Sequence, residues 1–342
     1  MYKTAIIGLG QIGYKIDDDP FRTIIWSHSK TYIKHNNTKL IAVCDIDKAK
    51  YNDFNEYYPN IEFYDDYVRM IKNVDLDILS ICSPTNTHLS IVRDAIILNP
   101  PKAIFIEKPM GIDLEEASNI SEMCNKNNII LAVNYMRRWD NKYQVLNEII
   151  KSNKLGKLQS ITAYGCTALL TSTSHLLDLF VYFGGAIEWV VGDLQNDYVR
   201  EVNQTKDPGG IAFVKFMNGA YGFLKGISKS QFYYMFEIDL LFSDGRVTVS
   251  DDGREINVYT FLKNDTCSVV EYKMLKKDLS YNIVSENERM LDAISNIIEC
   301  IETRQKPKSN ELNSKEVHRL IQCIKLSDKN NNTKILYKDI NV

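Results

Sequence analysis

Short apolar segments alternate with longer, more polar segments in the first part of the chain. The apolar segments predict strands at Leu40–Cys44, Ile78–Cys82, Ala103–Ile106 and Ile129–Val133, after a first strand that begins at Thr4. Helical spacing predicts helices at Ile46–Tyr58, Leu89–Leu98 and Leu114–Asn127. Continuous apolar strands between helices indicate a parallel sheet with both faces covered. We expect this first α/β domain to span residues 1–134.

The pattern changes after residue 134. A helix at Lys142–Lys151 precedes strand candidates at Leu158–Tyr164, Trp189–Asp193, Ile211–Met217, Tyr221–Ile227, Phe236–Phe242, Arg246–Ser250 and Glu255–Phe261. The Asn218-Gly219 and Asp244-Gly245 pairs are hairpin signals. Two helices, Glu286–Thr303 and Ser314–Ser327, close the chain. We therefore expect residues 135–342 to form an α+β domain with a large, mostly antiparallel open sheet, whose last helices are free to pack back on the first domain.

The first strand runs directly into a glycine-rich turn, Gly8-Leu9-Gly10-Gln11-Ile12-Gly13. This Gly-x-Gly-x-x-Gly spacing predicts a dinucleotide-binding Rossmann unit. Gly8 permits the tight turn, Gly10 lets the backbone approach a pyrophosphate, and Gly13 allows close packing of the next helix. Gln11 and Ile12 are then also part of the cofactor-binding turn. The alternative is an ordinary tight turn.

The strand Leu40–Cys44 ends in Asp45, where an acidic residue binds the adenosine ribose of NAD and repels the extra phosphate of NADP. We therefore expect NAD, with NADP disfavoured; a helix-capping role is the alternative, and Asp47 suits that role better. Asp45 lies further from the glycines than usual. The excess falls in Tyr14–Ser27, an inserted loop that either reaches over a ligand or is a solvated excursion.

Composition narrows the classes of partner. The net charge is −3 without a long basic run, which argues against nucleic acid or an anionic membrane surface. No apolar stretch approaches the length of a membrane span. Seven scattered cysteines without a Cys-x-x-Cys pair indicate reduced thiols in a cytoplasmic protein and no metal site.

Further motifs lie at the ends of the predicted strands. They are Ser83-Pro84-Thr85-Asn86-Thr87-His88, Glu107-Lys108-Pro109, Asn134-Tyr-Met-Arg-Arg-Trp-Asp140 and Ser174-His175-Leu-Leu-Asp178. In this order after a glycine-rich start, the chain resembles the Gfo/Idh/MocA family of oxidoreductases, which includes glucose–fructose oxidoreductase and inositol dehydrogenase. The resemblance covers nearly the whole chain.

The resemblance implies specific roles. Lys108 would stabilise negative charge on a substrate oxygen and His175 would accept the hydroxyl proton. Ser83, Pro84, Thr85, His88 and Glu107, with Lys108, would contact the nicotinamide half of NAD. Without the family, a surface cation and a core histidine are the plain interpretations of Lys108 and His175.

The chain departs from the family pattern at Thr171, where members similar to inositol dehydrogenase carry Asp. This disfavours free myo-inositol as substrate. Arg137 and Arg138 would bind an anionic substrate group or form a salt bridge, and Asp178 would contact substrate or support the fold. The inserted loop resembles a branch of the family associated with polysaccharide or unusual-sugar biosynthesis.

We thus expect an NAD-dependent oxidoreductase acting on a sugar, sugar nucleotide or cyclitol, assembled as a homodimer or homotetramer through its second sheet. The alternatives are a non-catalytic NAD- or sugar-binding sensor, which the missing Asp at Thr171 favours, and an NAD-recycling glycosidase.

Overall fold

The structure, a computed structural model, describes residues 1–202, 205–228, 234–261, 274–283 and 287–340. Its contacts divide the chain into two compact units. The first consists of Met1–Asn141 and Glu286–Lys315, and the second of Lys142–Ser285 and Glu316–Val342. The second closing helix therefore contributes residues to both units.

The first unit is built on a parallel sheet. Its strands are β1 (Tyr2–Ile7), β2 (Thr38–Cys44), β3 (Glu62–Tyr64), β4 (Ile78–Ile81), β5 (Ala103–Ile106) and β6 (Ile130–Val133), in the spatial order β3-β2-β1-β4-β5-β6. Its helices are α1 (His28–Lys34), α2 (Lys48–Tyr57), α3 (Tyr67–Asn73), α4 (His88–Leu98) and α5 (Leu114–Lys126), together with α8 (Arg289–Thr303) from the carboxyl-terminal part. The order reverses between β1 and β4, which creates a crevice at the carboxyl ends of these strands.

A single apolar core holds these layers together. Ile6 of β1, Ile78 of β4 and Phe105 of β5 are fully buried, and Ile294 and Ile297 of α8 belong to the same cluster. Continuous burial along β4 and β5 reflects a sheet covered on both faces. The predicted Rossmann architecture is thereby confirmed.

The second unit contains a large, mostly antiparallel sheet. Its strands are β7 (Leu158–Gly165), β8 (Ile187–Val202), β9 (Thr205–Phe216), β10 (Tyr221–Gly226), β11 (Phe236–Phe242), β12 (Gly245–Ser250), β13 (Glu255–Phe261), β14 (Leu275–Lys277) and β15 (Ile335–Leu336). In the described residues their order is β14-β13-β12-β11-β7-β10-β9-β8-β15. The pair β7 and β10 is parallel, and the other pairs are antiparallel. The predicted α+β class is confirmed.

Helix α6 (Asn141–Lys151) leads into this sheet, α7 (Thr173–Gly184) packs on β7 and β10, and α9 (Glu311–Lys329) spans the end of the chain. Glycines in the sheet let α7 approach closely. A Cβ on Gly226 would lie 2.8 Å from Thr173, and one on Gly222 would lie 2.6 Å from Phe180. The sheet thus sets the distance between itself and α7, and so positions the side chains at the amino-terminal end of α7.

Candidate active site

The crevice of the first unit has a volume of about 710 Å³. It is lined by the glycine-rich turn, the end of β2, the start of α3 and the segment after β4, with Gly8, Gly10, Asp45, Ser83 and Pro84 among its lining residues. Five of the positions predicted from the sequence for cofactor contacts therefore meet in one cavity. Its size and shape suit the adenosine and phosphate groups of a dinucleotide.

The glycine positions fit such a ligand. Gly8 has a φ of +102°, and a Cβ there would lie 2.7 Å from the carbonyl carbon of Cys82. A Cβ on Gly13 would lie 2.0 Å from the carbonyl oxygen of Gly8. A Cβ on Gly10 would meet nothing within 4 Å in the protein, although Gly10 lines the crevice. Gly8 and Gly13 thus build the turn, and Gly10 keeps space open above it.

The inserted loop interrupts the helix that normally follows this turn. His28 N donates to the carbonyl of Ile12 at 3.0 Å, and Ser29 N donates to that of Gly13 at 3.1 Å. In an uninterrupted helix those carbonyls would accept from residues 16 and 17. The chain therefore leaves the helix for twelve residues and rejoins it at α1. Ser27 caps α1 by accepting from Lys30 N.

The loop is pinned within its own unit. The carboxylate of Asp17 accepts from Trp26 N at 2.8 Å and from Ser27 Oγ at 2.6 Å. The Trp26 ring lies between the guanidinium groups of Arg22 and Arg289, at 4.2 and 4.5 Å from the ring centroid. At the tip, Phe21 is 81% exposed. The loop is a fixed structure at its base and solvent-exposed at Phe21.

Asp45 anchors the turn as well as lining the crevice. Its carboxylate accepts from Leu9 N at 2.8 Å and from Asp47 N at 2.9 Å, and Lys50 Nζ lies 3.3 Å from both of its oxygens. The helix cap of α2 is Asp47, as expected, which accepts from Ala49 N. Asp45 is therefore held by the backbone in a fixed orientation at the end of β2.

Two thiols form part of the crevice floor. Burial raises the pKa of Cys44 to about 12, and burial also raises that of Cys82 well above its ordinary value. Both thiols are protonated at neutral pH, so they act as apolar lining rather than as nucleophiles.

Lys108 is the second residue after β5, at the same edge of the sheet, and is partly buried. Its neighbour Glu107 is buried and accepts from His28 Nε2 at 2.9 Å and from Asn134 Nδ2 at 2.6 Å. Burial alone would raise the pKa of Glu107, but the hydrogen bonds from His28 and Asn134 and the charges of His28 and Lys108 outweigh it, and the pKa is lowered. Glu107 is thus an ionised, anchored carboxylate beside Lys108.

His88 lies behind the crevice rather than on its surface. It is 1% exposed, and its ring nitrogens lie 3.0 Å from the carbonyl of Ser83 and 3.1 Å from that of Met110. Burial lowers its pKa, so the ring is neutral and only one nitrogen donates at a time. His88 therefore braces the segments after β4 and β5. Thr85, Gln11, Ile12, Gly13, Glu107 and Lys108 are also outside the cavity lining, and the predicted cofactor contacts of these residues and of His88 stay predictions.

In the second unit, His175 lies in the first turn of α7 and is 9% exposed. The preceding loop is stabilised by its own hydroxyl groups. Thr171 Oγ1 donates to the carbonyl of Ala168 at 2.8 Å, and Ser174 Oγ donates to that of Thr171 at 2.6 Å. The Thr171 hydroxyl thus stabilises the backbone of the loop. Asp178 is 1% exposed and lies one turn after His175.

Asp207 of β9 is a support that the sequence analysis missed. It is 3% exposed and accepts from Leu170 N at 2.9 Å, while the carbonyl of Pro208 accepts from Leu169 N at 3.0 Å. The available signal was an acidic residue followed by Pro and two glycines, just before the predicted strand Ile211–Met217. Arg137 and Arg138, in a short 3₁₀ turn of the first unit, are 3% and 5% exposed.

Within the described ranges, no group of three His, Cys, Asp or Glu side chains has an arrangement that would hold a metal ion. No described helix is both long and apolar enough to cross a membrane. The six described cysteines form no disulfide, and Cys267 lies outside the described residues.

Comparison with known proteins agrees with this geometry. Over 273 residues the chain is 25% identical to myo-inositol 2-dehydrogenase of Thermotoga maritima, which covers 75% of this chain and 77% of that protein. It is 28% identical over 161 residues to D-glucoside 3-dehydrogenase of Escherichia coli, which covers 47% of this chain and 42% of that protein. The latter match thus spans less than half of the relative.

Among solved structures, the WlbA dehydrogenase from Bordetella pertussis in complex with NADH and UDP-GlcNAcA has a TM-score of 0.77 at 16% identity. The match covers 100% of this chain and 99% of that one. At this level of identity the likeness shows a shared fold.

Residues 2–135 match the family model described as an oxidoreductase family with an NAD-binding Rossmann fold. The expected oxidoreductase class and the NAD cofactor are confirmed by this match and by the dehydrogenases among the relatives. Residues 2–135 of this chain are thus similar to the Gfo/Idh/MocA family of NAD-binding oxidoreductases.

Proposed function

We propose that this protein is an NAD-dependent dehydrogenase that oxidises a hydroxyl-bearing ring carbon of a sugar, sugar nucleotide or cyclitol. The observation that supports it best is the shared edge of the parallel sheet. The crevice with Asp45 opens at the carboxyl ends of the central strands, and Lys108 follows β5 at that same edge. A ligand whose adenosine lies against Asp45 then has its other end directed toward Lys108.

Bound NAD⁺ would supply the acceptor for the hydride that leaves the substrate carbon. In this proposal Lys108 donates a hydrogen bond to the substrate oxygen and stabilises its growing negative charge. His175 accepts the hydroxyl proton, which leaves a carbonyl group on the substrate. Its ordinary pKa of about 6.5 suits a base that works near neutral pH. These two roles rest on the family resemblance.

The choice of NAD over NADP follows from charge. Three carboxylates, Asp45, Asp65 and Asp66, line the crevice, against one amine, Lys50, which already lies 3.3 Å from Asp45. Arg69, whose guanidinium lies 3.4 Å from Asp65, is not part of the crevice lining. A phosphate on the adenosine ribose would therefore meet mainly negative charge in the crevice. We therefore propose that NADP binds much more weakly than NAD.

The substrate class is drawn from the names of the relatives. They act on myo-inositol and a D-glucoside, and the WlbA structure contains UDP-GlcNAcA. Thr171 stands where a carboxylate is expected in inositol dehydrogenases, and its hydroxyl is donated to the Ala168 carbonyl. This favours a sugar or sugar nucleotide over free myo-inositol, with a place in polysaccharide or unusual-sugar biosynthesis. Arg137, Arg138 and Asp178 are the candidates for further substrate contacts.

The test is turnover with NAD⁺ and a panel of hexoses, glucosides, nucleotide sugars and cyclitols, followed by the absorbance of the reduced nicotinamide. We expect turnover with at least one member. Lys108→Ala should abolish that turnover while NADH still binds, because Lys108 lies outside the crevice lining. Lys102→Ala is the matched control, since Lys102 precedes the same strand at its opposite end and is exposed. Normal turnover by Lys108→Ala would contradict the proposed role.

A sensor that binds NAD and a sugar without turnover is the second candidate, favoured by Thr171. Saturable binding of both ligands with no reduced nicotinamide for any compound would support it. Product formation without net NADH would instead indicate an NAD-recycling glycosidase.

We also propose that the protein assembles as a homodimer or homotetramer through the second sheet. On the solvent face of that sheet, the Phe213 ring stacks on Tyr221 at 5.5 Å and on Phe223 at 5.0 Å. Trp189 packs edge-on to Phe213 at 5.1 Å. An aromatic patch of this kind is typical of an interface. A cytoplasmic location is proposed from the widely separated free thiols of the described residues, four of which are buried.

A further inference from the structure

A continuous chain of hydrogen bonds runs under the Lys108 segment. Tyr32 Oη lies 2.7 Å from Ser80 Oγ, which lies 2.8 Å from His28 Nδ1. His28 Nε2 lies 2.9 Å from Glu107 Oε1, which also accepts from Asn134 Nδ2 at 2.6 Å. The chain joins α1, β4, β5 and the end of β6, and none of its five members is more than 9% exposed.

The direction of the central bond is fixed by chemistry. Because the pKa of Glu107 is lowered, its carboxylate is ionised and can only accept. His28 Nε2 is therefore protonated, and its N–H group donates a hydrogen bond to Glu107. The His28 ring also packs against Phe105, with ring centroids 4.5 Å apart. The imidazole is thus held on its face and at both nitrogens.

The same three groups, Ser80, His28 and Glu107, are those of a hydrolase triad, but they are not placed for that chemistry. Ser80 is 0% exposed and its hydroxyl is already bonded to Tyr32. A nucleophile has to reach its substrate. The chain is therefore a support, and the group that it supports is Glu107.

We propose that His28 is a positioning residue for Lys108, an inference that rests on the proposed function. By holding Glu107, His28 fixes the backbone at the end of β5 and so the starting point of the Lys108 side chain. Misplacement by about 1 Å can cost about 10²-fold in rate. The Glu107 carboxylate accepts from one side chain of α1 and from one at the end of β6, so losing His28 leaves the carboxylate bonded from one side only.

This role also links the inserted loop to the catalytic segment. Asp17 of the loop accepts from Ser27 N at 3.0 Å and from Ser27 Oγ, and Ser27 caps the helix that begins at His28. The backbone of His28 is bonded to Ile12 of the glycine-rich turn. The loop and the cofactor-binding turn thus jointly set the position of His28. His28 in turn sets the position of the Glu107 carboxylate through their hydrogen bond.

The experiment compares His28→Leu with His28→Gln. Leucine fills the space beside Phe105 but has no donor, whereas the glutamine amide can still donate to Glu107. We expect kcat of His28→Leu to fall by about 10²-fold, while glutamine restores at least about a tenth of the wild-type value. Binding of ADP-ribose, which lacks the nicotinamide, should change less than about threefold in both. His35→Leu, at the residue that follows α1, is the control and should keep wild-type kcat.

Wild-type kcat in His28→Leu, or an equal loss in both variants, would overturn the positioning role. If His28→Leu does not fold, Ser80→Ala decides, because it removes one buried oxygen and should lower kcat several-fold; an unchanged kcat would contradict the proposal. A wild-type protein without turnover would overturn the proposed function instead. The fluorescence of bound NADH then tests His28 separately, since we expect His28→Leu but not His28→Gln to shift it, and unchanged emission in His28→Leu would overturn the role.

Discussion

The glycine-rich turn gives a prediction in which neighbouring substitutions have opposite effects. Gly8 has a φ of +102°, which costs an alanine about 1–2 kcal/mol. Its Cβ would also lie 2.7–2.8 Å from backbone atoms of Cys82 and Ser83, which cannot swing aside. Such overpacking adds about 1–3 kcal/mol. We therefore expect Gly8→Ala to lose about 2–5 kcal/mol of unfolding free energy, or about 4–20 °C in Tm.

Gly10→Ala should behave in the opposite way. Its Cβ would meet no protein atom within 4 Å, so stability should stay within about 0.5 kcal/mol of wild type. The same Cβ would occupy space in the crevice where a pyrophosphate has to approach. We expect NADH to bind at least about tenfold more weakly.

The assays are urea unfolding for stability and fluorescence titration with NADH for binding. Gly8→Ala should be unstable, and Gly10→Ala should be stable but deficient in NADH binding. Wild-type NADH affinity in Gly10→Ala would refute the assignment of this turn to the pyrophosphate. Wild-type stability in Gly8→Ala would refute the account of the turn itself.

Three further predictions follow from the site and the second sheet. Asp45→Asn removes a negative charge from the crevice wall where we propose that the ribose binds, so the ratio of NAD to NADP affinity should fall at least about tenfold; an unchanged ratio would contradict the proposed role of Asp45. Because the fold lowers the pKa of Glu107, its ionised carboxylate stabilises the protein at pH values above the unfolded-state pKa of about 4.3. This stabilisation is lost as the pH falls through the folded-state pKa. The difference in unfolding free energy between wild type and Glu107→Gln should therefore be largest near neutral pH and shrink below about pH 4; a constant difference would show that Glu107 is not ionised in the fold. Phe223, 43% exposed beside Phe213, should be part of the interface, so Phe223→Glu should yield a smaller species in analytical ultracentrifugation, and an unchanged mass would place the interface elsewhere.

Local patterns predicted most elements of the fold. The strands at Ala103–Ile106, Phe236–Phe242 and Glu255–Phe261 have the predicted bounds, because a run or an alternation of apolar residues marks each of them locally. The structure corrects others. Strand β8 continues to Val202, far beyond the predicted Asp193, because its pairing with β9 continues where the sequence has no apolar alternation.

Two short elements of the first unit were missed for a related reason. Strand β3 has three residues and α3 has seven, too few to establish a periodicity. Both are stabilised by their neighbours, since β3 pairs with β2 and α3 contacts α4. The inserted loop was placed correctly, but the bonds that rejoin α1 to Ile12 and Gly13 depend on its folded path.

Local sequence patterns likewise indicated some residues of the candidate site but not others. The glycines and Asp45 were predicted because cofactor-binding turns impose local constraints on sequence, and Gly8, Gly10 and Asp45 line one crevice. Their contact with a cofactor stays a prediction. The contact of His28 with Glu107 joins residues 79 positions apart, and no local pattern signals it. His88 is the opposite case, because its motif suggested a cofactor contact and the structure places the ring between two backbone carbonyls.

The most direct test of the central claim is a crystal structure of the protein with bound NADH. The account predicts that the adenosine ribose lies against Asp45, the pyrophosphate over Gly10, and the nicotinamide beside Lys108. Electron density for the dinucleotide elsewhere, or a nicotinamide remote from Lys108, would contradict it.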